Sequence, residues 1–72
     1  MAQRDLVRFG RRLRELRTQA HLSQEELAER AGVHRTYVGG VERGERNVGL
    51  LNLLRFARAL RVRPAVLFAG LE

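Results

Sequence analysis

The sequence predicts an all-α domain, and three observations support this prediction. Apolar residues recur three or four positions apart in two long stretches, which is the spacing of one face of an α-helix. Ser23 followed by Glu26 is typical of a helix start, because the two side chains cap the first turn reciprocally. Gly32 and Pro64 stand where helices end and begin. With 72 residues, we expect a single domain of five helices spanning 1–72.

The first helix is predicted from about Asp5 to Ala20. Its apolar face follows the helical spacing i, i+3, i+7, i+10 and i+14. The residues at these positions are Leu6, Phe9, Leu13, Leu16 and Ala20. The other faces carry arginines, which we interpret as a solvated surface, with phosphate contact as the alternative. Gly10 within this helix costs up to about 1 kcal/mol relative to alanine.

Two short helices are predicted next, and their spacing predicts a helix-turn-helix at about 24–43. The second helix begins at Gln24, after the Ser23 cap, and ends near Ala31, where Gly32 suits a left-handed ending. The third helix covers about 35–43, with Val38 and Val41 as its buried pair. A three-residue turn, Gly32-Val33-His34, joins the two helices.

The last third of the chain predicts an exposed loop followed by two helices. Residues 42–47 combine turn residues and charge without apolar periodicity, which is typical of a loop. Beyond Gly49, a fourth helix is predicted from the spacing of its apolar face. That face is Leu50, Leu53, Ala57 and Leu60. Pro64 suits the first position of a fifth helix, which Gly70 ends.

The formal net charge of +6 favours a polyanionic partner. Charge alone does not separate nucleic acid from an acidic membrane surface. The longest apolar run, around Val48 to Leu54, is interrupted by Gly49 and Asn52 and is far below the roughly 20 residues of a membrane span. Charged residues also stand where a secretory signal needs its apolar stretch. We therefore expect a cytoplasmic protein without a membrane partner.

Residues that support catalysis or metal binding are sparse. The chain has no cysteine, and His21 and His34 lack acidic partners at metal-ligand spacing. Glu25 and Glu26 fall in the first turn of the second helix, where the helix dipole accounts for them without catalysis. We expect no enzyme activity, no cofactor and no metal.

The residues of the helix-turn-helix carry a resemblance to a known family. They run Leu22-Ser23-Gln24-Glu25-Glu26-Leu27-Ala28, then Ala31-Gly32-Val33, then Val38, then Val41-Glu42-Arg43-Gly44, and continue with Ala57-Arg58-Ala59-Leu60-Arg61-Val62 and Pro64. With these residues the chain resembles the phage repressor and Cro type of helix-turn-helix regulators. The resemblance implies a compact five-helix, lambda-repressor-like domain that binds double-stranded DNA sequence-specifically.

Within that family, Arg35-Thr36-Tyr37 followed by Glu42-Arg43-Gly44 and Arg46-Asn47 most resembles the controller proteins of restriction-modification systems. Those regulators bind DNA as dimers and time the expression of the nuclease. The resemblance therefore implies a homodimer that regulates transcription from a (pseudo)palindromic operator. RNA polymerase is kept open as a further partner.

The family motif places the third helix in the major groove. We expect Arg35, Thr36 and Tyr37 to contact bases, with a bidentate Arg35–guanine contact contributing about 1–3 kcal/mol of discrimination. A plain phosphate contact for Arg35 and packing into the domain for Tyr37 are the alternatives. Expected phosphate contacts are Gln24, Arg43, Arg46, Asn47 and Asn52. A base contact by Arg46 stays open, and the alternatives are a solvated charged loop at 43–47 and an ordinary helix-start residue at position 24.

Glu42 matches a family position that pairs with an arginine of the first helix, which is Arg17 here. The resemblance therefore implies a structural ion pair. His21 departs from the family, which usually has glycine there, and Arg63 replaces a small polar cap. Gly39-Gly40 removes two side chains from the outward face of the third helix, so base readout is expected in its first turn.

One turn of helix reads too few bases to single out a genomic site, which implies two half-sites and a dimer. We expect the dimer surface at about 50–71, and the alternative is that its residues complete the monomer core. The candidates are Leu51, Leu54, Val66, Leu67, Phe68 and Leu71. Two other functions stay open: an antitoxin or protein-bridging module of the same fold, and a protein that coats nucleic acid without sequence preference.

Overall fold

A computed structural model describes residues 3–71, which form four α-helices and one 3₁₀ helix around an apolar core. The elements are α1 (Arg4–Gln19), α2 (Gln24–Ala31), α3 (Arg35–Glu42), α4 (Leu50–Leu60) and the 3₁₀ helix Pro64–Phe68. Residues 3–71 contain no β-strand, so the all-α prediction is confirmed. None of their helices is both long and apolar enough to cross a membrane.

Capping chemistry fixes the start of α2 as predicted. The backbone N–H of Glu26 donates to Ser23 Oγ at 3.0 Å, and the backbone N–H of Ser23 donates to Glu26 Oε1 at 2.9 Å. These bonds hold the pKa of Glu26 below its ordinary value. Gly32 ends the helix in the left-handed conformation with φ of 73°. His21 also adopts that conformation, with φ of 59°.

Gly10 lets α1 approach the end of α3 closely. A Cβ atom at this position would lie 2.4 Å from the carbonyl oxygen of Val41 and 2.5 Å from that of Glu42. Both distances are far inside van der Waals contact, and both neighbours are backbone atoms. The absence of a side chain at Gly10 therefore permits the α1–α3 contact, which outweighs the lost helix propensity.

The buried face of α4 differs from the predicted one. Leu50 is 72% exposed, whereas Phe56, which the predicted stripe omitted, is fully buried. The three polar residues of the helix recur three positions apart on one side, so the predicted stripe covered only part of the apolar face and left out Phe56. The first turn of α4 extends beyond the core and leaves both Leu50 and Leu51 at the surface.

The predicted fifth helix is a 3₁₀ helix, so residues 3–71 contain four α-helices and one 3₁₀ helix where five helices were predicted. Arg63 provides no side-chain cap, and the five residues that follow are too few to build a regular two-turn α-helix. Two arginines of α1 instead bind carbonyls of this segment. Arg12 Nε donates to the Val66 carbonyl at 2.9 Å, and Arg8 donates to the Gly70 carbonyl. The expectation of a mainly solvated arginine surface on α1 was therefore wrong for these two residues.

Candidate nucleic-acid interface

The first turn of α3 projects from the domain because the rest of the helix is anchored in the core. Val38 and Val41 are 0% and 1% exposed, while Arg35 and Thr36 are both exposed. Thr36 and Arg35 line a shallow depression of about 330 Å³ with three further residues. These are Gln24, Gly39 and Arg43. The structure thus brings two expected base-contacting residues together with two expected phosphate contacts.

Arg35 has an acidic partner that the sequence analysis did not predict. Its Nη1 donates to Glu25 Oε2 at 3.1 Å, across the turn between α2 and α3, and both side chains are 70% exposed. Nη1 is the nitrogen engaged, so the edge formed by Nε and Nη2 has no hydrogen-bond partner within residues 3–71. No local sequence pattern marks this pair, because its members lie ten residues apart on different helices.

Tyr37 packs into the domain, as the alternative interpretation held, but keeps its hydroxyl group near the surface. Its ring stacks on Phe56 with centroids 6.2 Å apart, and its hydroxyl oxygen accepts from Asn52 Nδ2 at 3.2 Å. Asn52 Oδ1 accepts in turn from Arg55, which fixes the orientation of the amide. The hydroxyl proton of Tyr37 has no acceptor among residues 3–71 and can still be donated to an anion.

Arg17 and Glu42 form an ion pair that also holds Gln24. The Arg17 guanidinium contacts both carboxylate oxygens, with Nε–Oε2 at 2.6 Å and Nη2–Oε1 at 3.0 Å. This bonding raises the pKa of Arg17 above its ordinary value. Gln24 Nε2 donates to Glu42 Oε1 at 3.0 Å, so the carboxylate links α1, α2 and α3. Arg17 Nη1 completes the cluster by donating to the Leu22 carbonyl at 2.8 Å.

The two central glycines of α3 lie beneath arginine side chains from the following loop. A Cβ at Gly39 would lie 3.0 Å from Arg43 Nη1, and one at Gly40 would lie 3.0 Å from Arg46 Cγ. Both glycines are buried. The prediction that these glycines leave the outward face of α3 without side chains of its own is therefore consistent with the structure, in which the flexible side chains of Arg43 and Arg46 lie over that face.

Arg43 is held differently from Arg35. Its Nε and Nη2 both donate to Glu45, at 3.1 and 3.2 Å, so the carboxylate covers the whole edge of the guanidinium. The pairing raises the pKa of Arg43 and lowers that of Glu45. Asn47 is exposed in the same loop and lines a second depression.

That second depression is an apolar groove of about 180 Å³ between α1, α4 and the C-terminal segment. Its lining includes Phe9, Leu53, Phe68 and Leu71. Phe68 is 44% exposed at its edge, and Leu51 and Leu50 on α4 are 69% and 72% exposed. Three of the expected dimer residues, Leu54, Val66 and Leu71, are half-buried.

Leu67 is fully buried in the core, so its assignment to the dimer surface was wrong. The 3₁₀ helix turns this side chain inward while Phe68, the next residue, stays at the surface. Leu50, which was not predicted for the dimer surface, is one of the exposed apolar residues. Within residues 3–71, no three histidine, aspartate or glutamate side chains gather in a potential metal site.

The chain is similar to known helix-turn-helix proteins in both sequence and structure. The profile of the helix-turn-helix family matches residues 13–67. The control protein C.BamHI of Bacillus amyloliquefaciens is 44% identical over 57 residues, which cover 78% of this chain and 70% of that protein. C.MunI of a Mycoplasma species is 39% identical over 67 residues, covering 92% and 90% of the two chains. The crystal structure of the restriction-modification controller protein C.AhdI from Aeromonas hydrophila superimposes with a TM-score of 0.91 at 61% identity, covering 92% of this chain and all of that one.

Proposed function

The chain belongs to the helix-turn-helix family, and on that premise we propose that it is a transcriptional regulator that binds a (pseudo)palindromic operator as a homodimer. The relatives named above support a role as the controller of a restriction-modification system. The single observation that carries the proposal is the exposed first turn of α3, where Arg35 presents an unoccupied guanidinium edge beside Thr36. The proposed regulator is a non-enzymatic single domain that acts in the cytoplasm, on the nucleoid.

Base recognition is assigned to the first turn of α3. Arg35 supplies two parallel N–H donors to the O6 and N7 atoms of guanine, and Thr36 offers its methyl group or hydroxyl to the next base pair. Tyr37, fixed by Phe56 and Asn52, donates its hydroxyl proton to a base edge or a phosphate. The sequence preference is therefore concentrated in a few base pairs of each half-site.

Phosphate binding is assigned to residues that surround this turn. They are Gln24, Arg43, Arg46, Asn47 and Asn52. Gln24 stands at the start of α2, where free backbone N–H groups and the helix dipole favour a phosphate. Its amide nitrogen is engaged by Glu42, so the side chain is held in place before DNA arrives. Contacts of this kind set the register of the protein on the duplex and contribute affinity without sequence preference.

The homodimer is supported by the apolar surface at about 50–71. Phe68 exposes a large apolar side chain at the edge of the groove between α1 and α4, and Leu50 and Leu51 do so on the first turn of α4. Burying such side chains against a second copy removes them from water, and contiguous exposed apolar patches mark interaction sites. A two-fold axis through this surface would present two recognition helices to the two half-sites of an operator.

Selection of bound sequences from random duplexes, followed by sedimentation of the complex, tests the proposal. We expect a consensus of two inverted half-sites whose centres lie about one turn of DNA apart, bound by two chains. Recovery of no consensus would overturn sequence-specific recognition and favour a nucleic-acid-coating role. A protein that stays monomeric at high micromolar concentration, free and on DNA, would overturn the homodimer.

A further inference from the structure

The two exposed arginines of the candidate interface are paired with carboxylates in different ways. Glu45 engages Arg43 through Nε and Nη2, whereas Glu25 engages Arg35 through Nη1 with a single oxygen. A bidentate contact to guanine requires two parallel N–H donors from one edge of the guanidinium. In Arg43 that edge is occupied by Glu45, and in Arg35 it is free.

We propose that Glu25 is a specificity-determining positioning residue, which holds Arg35 by one nitrogen so that its free edge faces a guanine and is kept from phosphates. The inference rests on the proposed function, because it requires Arg35 to read a base. It concerns a residue of α2 that contacts no base itself. Glu25 acts through Arg35.

The physical argument compares Arg35 on its operator with Arg35 on unrelated DNA. On the operator, Nε and Nη2 bind guanine while Nη1 stays with Glu25, so the ion pair is kept. On unrelated DNA no guanine is in place. The proposal requires that Arg35 then reaches a phosphate by swinging away from Glu25 and breaking the pair. The ion pair therefore disfavours the contact of Arg35 with a phosphate and does not disfavour its contact with guanine.

The expected size of this effect follows from the exposure of the pair. Both side chains are 70% exposed, and ion pairs of this kind are weak in water. Removing the pair should therefore lower the ratio of operator affinity to random-duplex affinity by about two- to fivefold for each chain of the bound dimer. The change should lie mainly in tighter binding to random DNA.

The test uses the full chain and two duplexes of equal length, one recovered by selection with the wild-type chain and one of random sequence. Glu25→Gln keeps the shape of the side chain and removes the charge. Glu29→Gln is the matched control, since Glu29 is exposed on the same helix, forms no ion pair within residues 3–71 and contributes the same charge. Fluorescence anisotropy at fixed salt gives both affinities for each variant.

We expect Glu25→Gln to lower the affinity ratio and Glu29→Gln to leave it unchanged. Glu45→Gln should strengthen binding to both duplexes by the same factor, because Arg43 is assigned to phosphates. When Arg35→Ala is already present, adding Glu25→Gln should have no further effect on the ratio. A purely electrostatic effect of the charge at position 25 would persist in that background.

The outcomes separate this inference from the proposed function. A wild-type chain that does not discriminate between the two duplexes would overturn both. A wild-type chain that discriminates, with a ratio that Glu25→Gln leaves unchanged or lowers no more than Glu29→Gln does, would overturn the role of Glu25 alone. Persistence of the Glu25→Gln effect in the Arg35→Ala background would overturn it as well.

Discussion

Arg17 and Glu42 make an ion pair with two hydrogen bonds that joins the end of α3 to α1. Their side chains are 11% and 4% exposed, whereas the Arg35–Glu25 pair is 70% exposed at both residues. The same charge chemistry therefore has two different roles in one small domain. The buried pair fixes where α3 lies, and the exposed pair controls a single side chain on it.

Glu42→Gln should destabilise the fold by about 3 kcal/mol or more, because it leaves the Arg17 charge poorly compensated in a mostly buried site. Urea unfolding followed by circular dichroism measures the decrease in the free energy of unfolding. Glu25→Gln makes the same chemical change in an exposed pair and should cost less than about 1 kcal/mol. Equal decreases in the two variants would contradict the structural role of the buried pair.

Gly10→Ala should destabilise the protein by about 1–3 kcal/mol, although alanine is the better helix former. The new methyl group would meet two backbone carbonyl oxygens of α3, which cannot move without shifting that helix. Gly39→Ala is the control, because its methyl group would meet the mobile end of the Arg43 side chain. In thermal unfolding, the Tm of Gly10→Ala should lie below that of the wild type, and the Tm of Gly39→Ala should equal or exceed it. The reverse order would refute the close-approach explanation.

These two glycines mark the limit of what the sequence predicts. The cap formed by Ser23 and Glu26 was predictable because the chemistry of a cap is contained within four consecutive residues. The need for glycine at position 10 depends on a crossing with residues about thirty positions later, for which no local signal exists. The sequence therefore predicted that Gly10 lowers helix propensity, but it did not predict that α3 approaches α1 closely at this position.

Some residues of the candidate site were predictable from the sequence, and others were not. Family-like residues led to Arg35, Thr36 and the Arg17–Glu42 pair, because a motif fixes their positions on the two helices. The carboxylate partners Glu25 and Glu45 were missed, since the formation of a surface ion pair depends on how the two side chains extend. On α4, Leu50 was expected inside and Phe56 was overlooked. Spacing does not show that the first turn of this helix extends beyond the core, nor how wide its apolar face is.

The pKa of Glu26 should lie below the ordinary glutamate value of about 4.3, because its carboxylate accepts the Ser23 backbone N–H. A lowered folded-state pKa contributes stability that is present above the unfolded-state pKa and is lost as the pH falls through the folded-state pKa. An NMR titration of the Glu26 carboxyl carbon measures this value. Ser23→Pro removes that backbone N–H at a position whose φ of -72° suits proline, and it should raise the pKa toward the ordinary value. An unchanged titration in that variant would contradict the capping explanation.

Arg35→Ala should relax the sequence preference at one base pair of each half-site, with a decrease of about 1–3 kcal/mol in discrimination there. Arg46→Ala should weaken binding to every sequence. It should also reduce the slope of log affinity against log salt by about 0.9 for each phosphate that is no longer neutralised, or about two in a dimer. Titrations of substituted operators at several salt concentrations separate the two effects. If both variants weakened binding to every sequence by the same factor, the assignment of Arg35 to a base and Arg46 to a phosphate would be wrong.

The last prediction concerns Arg12, which connects α1 to the segment that carries Phe68. Its Nε donates to the Val66 carbonyl at 2.9 Å, and one turn earlier Phe9 contacts the ring of Phe68 with centroids 6.3 Å apart. Leu67 anchors the 3₁₀ helix in the core, and the Arg12 hydrogen bond fixes its backbone next to Phe68. Removal of the arginine side chain should therefore loosen the apolar surface that we assign to the dimer.

Arg12→Ala should raise the dissociation constant of the dimer on the order of tenfold, the equivalent of one hydrogen bond to a charged group. Arg11→Ala is the matched control, since Arg11 is the exposed neighbour and its side chain makes no hydrogen bond within residues 3–71. Sedimentation equilibrium measures both constants. Operator affinity should fall with Arg12→Ala at low protein concentration and recover at high concentration, because the substitution weakens the dimer and leaves the DNA-binding surface intact. Equal dimer dissociation constants for Arg12→Ala and Arg11→Ala would show that the segment holds its position without Arg12.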